Sequence, residues 1–201
     1  MIFSYEPQNG IAYARAYALY EYVPEERRLF FYDSSNDCAN FVSQCVWAAY
    51  GGWVKGVDVL SIRSNRVNTK NTIRMAPYIW YGSKSFSGSN KWCRVVEFFT
   101  YAISTKQTGP LATRIAEGDW ATISPTIIKE GDVLQLVVQS YIPNQYGHSV
   151  YVTKAGHSWE KILICCHSYD RLDVPLSSFS QLPDQYPRFR ILRFRRAVFN
   201  K

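Results

Sequence analysis

The chain has 201 residues, 47% hydrophobic and 19% charged, which suits a folded domain with its own core and excludes a disordered or collagen-like chain. Lysine and arginine number 23 against 16 acidic residues, a net charge of +7 that is spread along the chain; such a surface attracts anionic polymers or membranes at long range, and no nucleic-acid motif accompanies it. No apolar run approaches the roughly 20 residues of a membrane span, and Met1–Pro7 has no basic start leading into an apolar stretch, so no signal peptide is expected in the chain as given.

Taken in chain order, Asn9 is placed to cap a helix from about Gly10 to Val23, stopped by Pro24. A second helix is expected from Asp37-Cys38 to Tyr50, with Phe41, Cys45 and Ala48 on one apolar face and Gly51-Gly52 as its stop. Residues 53–92, rich in Ser, Asn, Gly and basic side chains, read as a long and partly irregular insertion. Arg94–Ile103 looks helical again, and Gly109-Pro110 ends that region. Beyond Gly131 the pattern turns to short strands over Asp132–Gln139, His148–Lys154, Lys161–His167 and Arg188–Val198. The arginines of Arg188–Arg196 suit an edge strand kept soluble by charge. Helices first and an antiparallel sheet second is an α+β arrangement, here within one domain over residues 1–201.

The five cysteines form no CxxC pair and no zinc-type spacing with histidine, and they fit a reducing compartment or a thiol enzyme rather than a disulfide framework. One of them stands out. The polar loop Tyr32–Asp37 delivers Cys38 to the first turn of an apolar helix, where unpaired N–H groups and the helix dipole favour a thiolate, lower its pKa and offer donors to an oxyanion. The alternative for a lone cysteine is a small apolar residue buried at a helix start.

Of three histidines, His148 opens a strand and alternation puts it on the face of Val150 and Val152, the face expected to pack on a helix; there it could serve Cys38 as base. His167 ends the next strand on the face of Leu163 and Cys165, and if the two strands are neighbours it could orient His148, a task Asp170 could fill equally well. His157 has no assigned role.

The blocks Asp37–Gln44, Gly131–Gln135, His148–Thr153 and His167–Arg171, in that order, resemble the bacterial "putative amidase" domain family, which looks like a branch of the papain-like hydrolases near the NlpC-type and CHAP cell-wall peptidases. The resemblance implies a papain-like fold, Cys38 as nucleophile, His148 as general base and His167 as orienting residue, with no cofactor or metal. The oxyanion would be held by the Cys38 N–H and one of Tyr32, Asn36 or Asn40. It further implies a peptide or peptidoglycan-like substrate, with residues 53–92 and about 174–187 bordering the cleft. A cell-wall substrate would require export or excision from a longer protein, so the compartment stays open. Two alternatives use the same residues differently: a non-catalytic wall- or protein-binding module on the same scaffold, and a thiol acyltransferase or deamidase. No specific nucleic-acid partner is expected, and the oligomeric state cannot be read.

Overall fold

Pro7, and not Asn9, opens the first helix. In the computed structural model, which describes residues 1–56 and 74–199, helix α1 spans Pro7–Tyr17 without a side-chain cap. Proline's fixed φ already suits the first helical position, and the N–H that it lacks would have found no partner there. The helix stops well short of Pro24 because Tyr20–Tyr22 tightens into a 3-10 turn. Helix α2, Cys38–Ala49, is buried along its whole length. Gly51 ends it at φ 86°, where the N–H groups of Gly51 and Gly52 bond the carbonyls of Ala48 and Trp47. Two further helices follow, α3 at Asn90–Cys93 and α4 at Val95–Ile103. Of the stretch 53–92, residues 57–73 lie outside the described residues; on either side of them Trp53, Trp80 and Trp92 are buried in the helical core.

The strands are β1 Ile2–Phe3, β2 Leu111–Gly118, β3 Val133–Val137, β4 Tyr146–Lys154, β5 Leu163–Cys166, β6 Arg171–Pro175, β7 Phe189–Arg195 and β8 Ala197–Val198. Six form one antiparallel sheet in the order β2-β7-β3-β4-β5-β6, and β1 pairs with β8. Helices N-terminal and an antiparallel sheet C-terminal is the expected α+β order; β1, β2 and β6 are additions to the expected strands. One expectation is overturned. The arginine-rich strand β7 is not an edge, since it pairs with β2 on one side and β3 on the other. Two of its arginines are internal partners: Arg193 clamps Asp132 through Nε and Nη2 at 2.9 and 2.7 Å, and Arg190 lies between the rings of Phe99 and Tyr146, while Arg195 at the strand end is exposed.

Period-2 alternation gives the sheet two buried faces. Val133, Tyr151, Cys165, Leu192 and Phe194 pack on α1, α2 and α4. Leu134, Leu136, Val150, Val152, Ile164, Cys166, Phe189 and Ile191 face a second core, closed by Ile128, Leu176 and Phe179 from the connecting segments. A short helix, α5 at Ser177–Ser180, carries Phe179 onto this second face. Among the described residues no helix is long and apolar enough to cross a membrane.

Helix α1 reaches the sheet through Gly10. A Cβ there would stand 2.0 Å from the Tyr151 hydroxyl oxygen and 2.9 Å from the Cys45 carbonyl oxygen. Gly10→Ala should therefore destabilise the protein by about 1–3 kcal/mol, the usual cost of overpacking, although alanine is the better helix former. Urea denaturation followed by circular dichroism checks this; an unchanged or raised midpoint would mean that α1 does not sit this close.

Candidate active site

Strand β5 ends at Cys166, beside Val150 and so four residues short of the start of β4 at Tyr146. The pairing Tyr151↔Cys165 leaves the Gly147–Ser149 end of β4 with β3 on one side and no β5 partner on the other. The N-terminus of α2 fills that place. The Cys38 sulfur lies 3.8 Å from the carbonyl oxygen of Gly147, and the N–H of Ser149 points at it, as do the N–H groups of Cys38 and Ala39 in the first helical turn. Sequence positions 38 and 148 are thus brought to one stretch of β4, the sulfur against the main chain on either side of His148.

The imidazole itself points elsewhere. His148 is half-buried on the second face of the sheet, as its alternation with Val150 and Val152 implies, and packs 5.6 Å from the ring of Phe179, with Arg171 nearby. The helices that this face was expected to meet pack on the opposite side. No hydrogen bond joins the His148 ring to the Cys38 sulfur. Of the stretch 174–187, Phe179 is the residue that covers His148.

The electrostatics reverse the expected sign at Cys38. Cys38 is 3% exposed, and burial pushes the thiol up to about 11 even though three N–H groups favour the thiolate. Burial and the Arg171 charge push His148 down to about 4. Thiol and imidazole are therefore both neutral near pH 7, not a thiolate–imidazolium pair.

His167 does not meet His148, because the β4–β5 register puts them on opposite faces of the sheet. It stacks on Phe41 of α2 at 4.1 Å, its Nδ1 lies 2.6 Å from Asp37 Oδ2, and its Nε2 lies 2.8 Å from the carbonyl oxygen of Tyr17. Asp37, for which the sequence suggested no chemical role, is the centre of a buried network. Its second oxygen accepts from the Asn40 amide at 2.8 Å and its N–H donates to the Ser168 hydroxyl at 2.8 Å. Ser168 reaches it from the two-residue turn between β5 and β6, where Ser168 and Tyr169 have φ of 62° and 70°.

The three oxyanion candidates differ sharply. Asn40 is fully engaged: its amide donates to Phe31 and Asp37, and its oxygen accepts from the Trp92 indole at 2.6 Å. Tyr32 donates to Asp170 at 3.0 Å and lines an open groove of about 620 Å³ with Ser34, Ser35 and Tyr169. Asn36 is exposed in the loop before the helix. Asp170 accepts from Tyr32 and from the N–H of Tyr20 and makes no bond to either histidine. All five cysteines are free thiols. Among the described residues no three His, Cys, Asp or Glu side chains are grouped as a metal would need.

Residues 4–190 match the family model described as "putative amidase domain", and the chain belongs to that family. No curated protein and no solved structure matches it.

A raised thiol pKa has a direct readout. At pH 7 iodoacetamide should modify the half-exposed Cys93 before Cys38, and the Cys38 rate should climb about tenfold per pH unit below its pKa, because the thiolate is the reacting species. Peptide mass mapping across pH 6–10 measures this. Preferential labelling of Cys38 at pH 7 would show that the helix start outweighs burial.

Proposed function

We propose that this amidase-family chain hydrolyses an amide bond through Cys38, with His148 as the base. The observation that supports it is the seating of the sulfur against Gly147 and Ser149, the two main-chain neighbours of His148. This reading requires a side-chain rotation that turns the imidazole from Phe179 toward the sulfur.

The steps balance as follows. The Cys38 proton passes to His148 as sulfur attacks the carbonyl carbon, so the two neutral groups become an ion pair only in the reacting complex. The N–H groups at the start of α2, with Tyr32 or Asn36 as the freer side chains, hold the oxyanion. The imidazolium gives its proton to the leaving amine as the C–N bond breaks. Water then cleaves the thioester and returns the thiol. The substrate of this reading is a peptide or other amide of the bacterial wall; support comes from the likeness of the Cys38 and His148 blocks to cell-wall peptidases and from a net charge of +7, which favours an anionic polymer.

A second reading, a binding module that keeps the scaffold without turnover, is favoured by one observation: Cys38 is almost fully covered and shares no hydrogen bond with His148. Substitution separates the two. Cys38→Ala should lower kcat on a wall-peptide amide about 1,000-fold or more, and His148→Gln about 100-fold or more, with melting temperatures within a few degrees of the parent. Trapping a thioester on Cys38 by mass spectrometry would add direct proof. Retained turnover in Cys38→Ala, or ligand binding with no turnover in the parent, would overturn the hydrolase reading.

A further inference from the structure

Both ring nitrogens of the fully buried His167 face oxygen acceptors. The Tyr17 carbonyl can only accept, so Nε2 carries a proton. Nδ1 stands 2.6 Å from a carboxylate oxygen of the equally buried Asp37, a distance that two acceptors reach only with a second proton between them. The two groups thus share a proton, and the pair carries no net charge. This is also the only neutral way to bury it.

We propose that Asp37 and His167 are positioning residues for Cys38, a proton-sharing lock that ties the first turn of α2 to the end of β5. The assignment rests on the amidase reading for the reaction served, and on geometry alone for the lock. Asp37 immediately precedes Cys38 and hydrogen-bonds at once to His167, Asn40 and Ser168, so the turn after β5 and the first turn of α2 converge on the residue that sets where the sulfur lies. Losing the shared proton would place a lone pair against a carboxylate and loosen that junction.

One comparison tests this. Asp37→Ala should lower kcat about 100-fold with KM little changed, the scale of loss expected from misplacing a reacting atom. Asp37→Asn should recover most of that loss, because an amide N–H can donate to Nδ1. Equal losses in the two variants overturn the positioning role. If the protein cleaves no amide, the amidase reading fails and positioning is read from iodoacetamide at pH 8.5: Cys38 labelling about tenfold faster in Asp37→Ala than in Asp37→Asn supports it, and equal rates overturn it.

Discussion

The pairing of β4 with β5 governs everything around Cys38. Tyr151 opposite Cys165 is one contact in a ladder, yet with a side-chain period of two it assigns a face to every residue on both strands. It sends His167 toward α1 and α2 and His148 toward the second core. Because β5 stops at Cys166, it also leaves a bare length of β4 edge. The start of α2 occupies that edge, so a helix terminus and a strand, rather than two side chains, make the first contact between the two candidate catalytic positions.

Burial decides the electrostatics of this junction. A helix start offers N–H groups and a partial positive charge, but these act over one turn and contribute on the scale of about 1 kcal/mol. Full removal of a thiolate from water costs more, and Cys38 is 3% exposed. The same cost drives His148 toward its neutral form. In the proposed reaction, two neutral partners call for proton transfer during attack, with the ion pair formed only in the reacting complex, where the substrate carbonyl gives the charge somewhere to go.

Positive charge in the sequence is likewise redistributed by packing. Arg190 and Arg193 sit inside the sheet between β2 and β3, one held by aromatic rings and Gln135, the other by Asp132. They stabilise strand order rather than attract a polymer, and the part of the +7 available to a partner is carried by other residues.

Local pattern was enough for several features. The apolar stripe and the Gly51-Gly52 stop marked α2 closely, because propensity and the left-handed stop act within a few residues. The α+β order, and the four sequence blocks that pointed to the amidase family, were equally legible. Alternation also placed His148 with Val150 and Val152. What alternation along one strand cannot say is which face of the next strand is shared. That depends on a register set by packing between residues 14 positions apart in the chain, Tyr151 and Cys165. So His167 paired with Asp37 instead of His148, the arginine strand became interior instead of edge, and the Cys38 thiol moved up instead of down. Each of these turns on what surrounds a residue from distant parts of the chain, and only the assembled tertiary structure supplies those surroundings.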